Sequence, residues 1–236
     1  MELCGAYVNW INKWYYMNSD GSMDITLNVI ILRRLVMKHK LIIIFNEQDL
    51  KMISESGQKV VIIRQTEHSA GNAMAWVCFN PSERNIIEWE DNDYSIYSST
   101  SKIENITTII KSHEEKAIPT IRYEYWDGPL TPPSKSSIYY ASNFSNEFPQ
   151  ITLGLSQSII VNGKTYSNYP INAFSVPFRQ SIEMEPGNLI SVLLRKNAVS
   201  SMLLPYDTNR IIVNYNQSPE YTILYEGDNR FKRIEG

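Results

Sequence analysis

The residues able to do chemistry are few and poorly grouped. The densest set is Glu88-Trp89-Glu90-Asp91-Asn92-Asp93. Hard cations such as calcium take six or more oxygen ligands, so an acidic run of this kind invites a calcium reading. The EF-hand register fails: counted from Asp91, the glycine position is Ile96 and the final glutamate position is Lys102. A glycosidase pair needs two carboxyls facing each other across a cleft, which adjacency in sequence does not supply. The run reads as a solvated turn with strand-end carboxylates.

Histidine and cysteine offer less. His39, His68 and His113 have no partners at metal-ligand spacing, so each reads as a loop or edge residue, with no metal ligands and no cofactor expected. Cys78 lies between Val77 and Phe79 in an apolar run. A nucleophilic thiol needs a nearby base and exposure, so a buried, inert thiol is expected there. Cys4 is the one other cysteine, and two cannot build a disulfide framework. Phosphate-loop, dinucleotide-binding and nucleophile-elbow patterns are absent. No catalytic residues are assigned, and an enzyme is not expected.

The aromatics are more suggestive. Tyr123, Tyr125, Trp126, Tyr139 and Tyr140 flank a Gly/Pro-rich break, and Tyr166 and Tyr169 follow an Asn-Gly turn. Flat rings with one wet edge stack well on sugars and sit well at lipid headgroups. These seven are the candidate ligand-binding set. The competing use is to cover the faces of sheets.

The elements that must position them are strands. The chain has 236 residues, a net charge of −3, 43% hydrophobic and 20% charged residues. That is apolar enough for a core and too acidic for a dedicated nucleic-acid surface, so no nucleic-acid partner is expected. β-branched and aromatic residues with Ser, Asn, Gly and Pro turns favour sheets. Short strands recur about every ten residues, a spacing that predicts an all-β, antiparallel β-sandwich, either one large or two small tandem ones. One short helix is expected over Glu47–Ser56, with Asn46 as N-cap and Gly57 as its stop, and Leu50 and Ile53 facing the core. Strands are expected over Lys40–Phe45, Lys59–Gln65, Met74–Asn80, 85–90, 94–99, 103–111, 120–126, 137–142, 150–155 and 158–161. Asn162-Gly163 is the clearest hairpin turn, and Glu226–Asn229 is expected to make another. The apolar stretch 25–45 is cut by Arg33, Arg34, Lys38, His39 and Lys40, so no transmembrane segment is expected.

Residues 1–36 differ from the rest, being rich in Trp and Tyr without a sustained period. Arg33-Arg34, two codons ahead of Met37, can be encoded AGG-AGG, a bacterial ribosome-binding sequence. Two readings stay open: Met37 as the physiological start, or residues 1–36 as an arm used in assembly. The remainder divides by composition at residues 127–134 into a 37–128 half and a 129–236 half.

The segments SGQKVVII, AWVCFNPSERNIIEWEDNDYSIYSST and ITLGLSQSIIVNGKTY resemble a scattered set of uncharacterised microbial all-β proteins. The resemblance spans about residues 40–236, rests on structural motifs, and implies a fold without implying an activity. The expected function is a non-enzymatic binding protein, lectin-like or membrane-surface, in a toxin or host-interaction system. Its partner would be a glycan or lipid headgroup surface. The alternative is a self-assembling structural β protein forming homo-oligomers or inclusions. The expected location is the cytoplasm, or outside the cell by release without a classical signal peptide.

Overall fold

The computed structural model describes residues 37–234, apart from 67–72, 92, 105–106, 118–121, 126–138 and 206–207, together with the backbone of three strands nearer the N-terminus. The chain divides into two compact units, Met1–Val36 and Met37–Gly236. In the first, β1 (Ala6–Trp10), β2 (Lys13–Met17) and β3 (Met23–Asp24) form an antiparallel sheet in sequence order.

The second unit begins with β4 (Lys38–Ile44) and the helix α1 (Glu47–Ser56). The Asn46 side chain caps that helix, its Oδ1 accepting from the Asp49 backbone N–H at 2.8 Å. Gly57 ends it in the left-handed region at φ 69°, where a side chain would be strained. Ile53 is buried in the main core and Leu50 lies against it, as the spacing predicts. Then come β5 (Gln58–Thr66), β6 (Ala73–Met74), β7 (Val77–Phe79), β8 (Arg84–Glu90), β9 (Tyr94–Ser99), β10 (His113–Lys116) and β11 (Arg122–Tyr125). After them are β12 (Tyr139–Asn143), β13 (Gln150–Val161), β14 (Lys164–Pro170), β15 (Phe174–Pro177) and β16 (Ser181–Met184). The series closes with β17 (Pro186–Lys196), β18 (Leu203–Leu204), β19 (Ile211–Asn214), β20 (Glu220–Tyr225) and β21 (Phe231–Ile234).

The fold is all-β with one short helix. A nine-stranded sheet runs β10-β9-β13-β8-β4-β20-β21, with β14 and β15 also pairing on β13. A four-stranded sheet runs β19-β17-β5-β7, and smaller sheets join β11-β12-β16 and β18-β6. Strands from both sides of residues 127–134 interleave, since β13 pairs with β8 and β9, and β20 with β4. Pairing is mostly antiparallel. The β4–β20 and β11–β12 pairs are parallel, a feature that antiparallel meander reading does not anticipate.

Alternation explains the core. In β4, His39, Leu41 and Ile43 point inward; in β8, Asn85, Ile87 and Trp89 do. Val60 and Ile62 of β5 and Ile190, Val192 and Leu194 of β17 join them in one hydrophobic cluster. Both large sheets therefore contribute to the same core, and each fully buried aliphatic side chain stabilises it by roughly 1.5–3 kcal/mol. Gly154 is required by space on the far side of β13. A methyl there would lie 2.4 Å from the Asn172 carbonyl oxygen and 2.6 Å from the Tyr97 hydroxyl.

Candidate functional site

The acidic turn does not remain wholly in solvent. Glu88 and Glu90 point outward from β8, but Asp91, just past its end, turns in beneath the sheet. Its Oδ2 accepts a hydrogen bond of 2.5 Å from His39 Nε2, and its Oδ1 one of 3.2 Å from Arg64 Nη2. Arg64, 3% exposed, also donates from Nη1 to Gln157 Oε1 at 2.6 Å and from Nε to the Gly187 carbonyl at 3.1 Å. Gln157 is fixed in turn, its Nε2 donating to the Glu90 carbonyl at 2.7 Å. Tyr94 and Trp76 lie 5.2 and 5.9 Å from the guanidinium carbon. These groups tie β4, β5, β8, β13 and β17 together around one buried cation.

Desolvation alone would raise the Asp91 carboxyl. The hydrogen bond from His39 and the charge of Arg64 outweigh it and hold the group below its ordinary value. Burial pushes the Tyr94 phenol up to about 12, with Arg64 opposing and the Asp91 charge adding to the rise.

His39 corrects the expectation of a loop or edge residue. It sits at a core position, 2% exposed, stacked 5.4 Å from Trp89 and edge-on to Tyr215 at 5.1 Å. The His39–Asp91 pair has the form of a base held by an orienting carboxylate. Its free nitrogen, Nδ1, has no hydrogen-bond partner among the described residues, so no hydroxyl or thiol is engaged there. The adjoining space among Arg64, Trp89, Gly187 and Tyr215 is too small for a water molecule. The arrangement ties the sheets together, and His39 and Trp89 form the floor of a surface cleft on its outer side. No group of three or more His, Cys, Asp or Glu able to hold a metal occurs among the described residues.

Two surface clefts, each of about 410 Å³, lie on opposite faces of the β13–β14 hairpin. Ile160 and Thr165 line the first; Val161, Lys164 and Tyr166 line the second. The turn between the strands is the expected Asn162-Gly163, both residues at positive φ. In the first cleft both lysines are paired, Lys38 with Glu90 at 3.2 Å and Lys40 with Glu220 at 3.0 Å, and Glu88 and Asp93 line it as well, so carboxylates outnumber ammonium groups there. In the second, Lys59, Asn80, Lys164 and Tyr166 stand with Phe79 and Cys78, and no carboxylate lines it among the described residues. Lys164 Nζ rests 5.1 Å from the centre of the Tyr166 ring.

A bulge gives this second cleft its aromatic wall. Strand alternation would put residues 166 and 169 on opposite faces. Asn168 adopts φ 51°, and the β13–β14 register shifts between Gln157 and Ile159. The extra residue returns Tyr169 to the side of Tyr166. Their rings meet edge to face at 5.8 Å, both half-buried against the main core.

The other candidate aromatics scatter. Tyr139 is 2% exposed and packs edge-on against Tyr94 at 5.6 Å, so it belongs to the core and offers no ligand surface. Tyr140 is half-buried on the separate β11-β12-β16 sheet. Tyr123 and Tyr125 occupy β11, in register with Ala141 and Asn143 of β12. Trp126 lies outside the described residues, as does His68. Cys78 is half-buried at the cleft edge, more open than its apolar neighbours imply. Burial pushes its thiol up to about 12, with Lys59 opposing that rise.

The cleft residues Lys59, Asn80 and Lys164 were not visible from residue type alone. The signal for Lys164 is its place directly after the hairpin turn. The signal for Arg64 is its phase: positions 60, 62 and 64 share the core-facing side of β5. No family model matches the chain, and no curated protein or solved structure matches it. Function must therefore be argued from these sites.

Proposed function

We propose that the protein is a non-enzymatic, lectin-like binding module and that it engages a glycan in the cleft beside the β13–β14 turn. The supporting observation is the lining of that cleft. An aromatic wall from Tyr166, braced by Tyr169, stands beside the amide of Asn80 and the ammonium groups of Lys59 and Lys164. A sugar ring presents an apolar face and an equatorial belt of hydroxyls. A ring wall with hydrogen-bonding groups at its rim matches both. The buried His39–Asp91–Arg64 cluster supports the same reading, because the Arg64 guanidinium and the Asp91 carboxylate are both met by protein groups and no nucleophile stands at His39 Nδ1 among the described residues.

Glycan-array retention of the full chain tests this, with Tyr166→Ala as the paired variant. Retention that falls at least about tenfold in the variant is expected, since hot-spot aromatics commonly cost more than that on truncation. Failure to retain any glycan, or equal retention by the variant, overturns the reading.

A second reading, self-assembly, draws on the four-stranded sheet. Its end strand β19 exposes Ile212 at 48%, and its outer edge pairs with nothing among the described residues. Unprotected edges invite pairing between chains. A monomeric elution at all concentrations in size-exclusion chromatography removes that reading.

A further inference from the structure

We infer that the ligand of this cleft is an acidic saccharide, one carrying carboxylate or sulfate groups, and that Lys59 and Lys164 select it. The inference rests on the glycan-binding reading above and names the class of sugar.

Charge balance is the first ground. Lys59 and Lys164 line the cleft and make no ion pair with any described residue, whereas both lysines of the opposite cleft are paired with glutamates. The two clefts share a hairpin and are of similar size, so the contrast in charge is a contrast in lining.

Sheet register is the second ground. Lys59 stands directly opposite Arg195 in the β5–β17 ladder, and Arg195 likewise has no ion-pair partner among the described residues. Like charges directly across a sheet repel, and sequences ordinarily avoid or neutralise them. Here neither charge has an ion-pair partner among the described residues, so an anion seated at Lys59 would also feel the field of Arg195.

Position is the third ground. Lys59 lies one residue beyond the last β5–β7 pair, Val60 with Phe79, and Asn80 follows Phe79 at the same end. Lys164 begins β14 straight after the turn. Cation and amide therefore come from strand ends of both large sheets, and Tyr166 lines the same cleft. That arrangement suits a sugar ring stacked on Tyr166 with its acidic substituent directed at an ammonium group.

The test uses an array on which each carboxylated or sulfated oligosaccharide is printed beside its neutral parent, at low and high salt. The full-length protein is compared with Lys59→Met, Lys164→Gln and the double variant. Retention of acidic members at least about tenfold above their neutral parents is expected, as a charged hydrogen bond is worth that or more. The preference should shrink with salt and vanish in the double variant. Occupancy is read independently by peptide mass spectrometry, since a seated ligand should slow amine-reactive labelling of Lys59 and Lys164.

Equal retention of acidic and neutral partners overturns this inference and leaves the glycan reading standing. Retention of none sinks both. A preference that survives in the double variant, or that leaves labelling of Lys59 and Lys164 unchanged, places the acidic site elsewhere and overturns the assignment. Retention on anionic lipid vesicles without any response on the array replaces the sugar by a lipid headgroup.

Discussion

The buried cluster around Arg64 and the open cleft around Lys164 use similar side chains to opposite ends. In the cluster a guanidinium is surrounded by acceptors: the Asp91 carboxylate, the Gln157 amide and the Gly187 carbonyl. In the cleft, ammonium groups face an aromatic ring and amides, without a carboxylate. A cation enclosed at low dielectric must have its charge met within the protein, because separating it from water costs several kcal/mol. A cation at a wet rim has no such requirement and stays available. A charge met within the protein marks a structural site, and a charge left open marks a receptive one.

The largest expected effect comes from unbalancing the cluster. Asp91→Ala leaves the Arg64 charge and the His39 donor without their shared acceptor. It should destabilise the fold by about 3 kcal/mol, read from the urea unfolding midpoint. A loss below about 1 kcal/mol would show that water enters the cluster and that it is less closed than its geometry implies.

Acid should act on the same carboxyl more gradually. Asp91 titrates below its unfolded value, so the stability it contributes is complete above the ordinary carboxyl pKa of about 4. That contribution is lost as pH falls through the lower, folded value. Unfolding midpoints measured from pH 6 to pH 2 should fall more steeply in the parent than in Asp91→Asn, which has no charge to lose. Parallel curves would remove Asp91 from the account of acid sensitivity.

At the cleft edge, Cys78 should react slowly. Its thiol is pushed up to about 12, so little thiolate exists at pH 8. Iodoacetamide labelling of Cys78, followed on its own peptide, should accelerate greatly when urea unfolds the chain. Equal rates would mean that burial does not protect the sulfur.

The smallest effect is the most discriminating. Lys164→Ala should leave the unfolding midpoint within about 0.5 kcal/mol of the parent, as ordinary surface substitutions do. A larger loss would mean that this lysine supports the fold, and the contrast between the two regions would weaken.

Local chemistry was the legible part of the molecule. The Asn46 cap, the Gly57 stop and the Asn162-Gly163 turn follow from rules that act over four or five residues, and each element forms where those rules place it. Long-range pairing was not legible. The 103–111 segment reads as a strand, yet within its described part the ladder contact is an isolated bridge from Thr108 to Met202. Two expected short strands fuse into the single β13, because neighbouring strands on both sides hold it straight through Gln157. His39 and Asp91 are 52 residues apart, and neither sequence neighbourhood announces the other. For the candidate site, one of the seven aromatics, Tyr166, lines a cleft and a second, Tyr169, packs against it. Their convergence depends on a bulge at Asn168, which strict alternation cannot foresee.

The parallel pairing of β4 with β20 has a consequence in time. Lys40 and its partner Glu220 are 180 residues apart. At ribosomal rates of about 5–20 residues per second, β4 waits on the order of 10–40 s for that neighbour to be synthesised. Throughout that interval the Leu-Ile-Ile-Ile strand has one open edge, the kind of surface that recruits other chains. Closing so long a loop also makes for slow folding once the chain is complete. Yield in the cell should therefore depend on how long nascent β4 is kept from its neighbours, and slower growth at lower temperature should favour the folded protein.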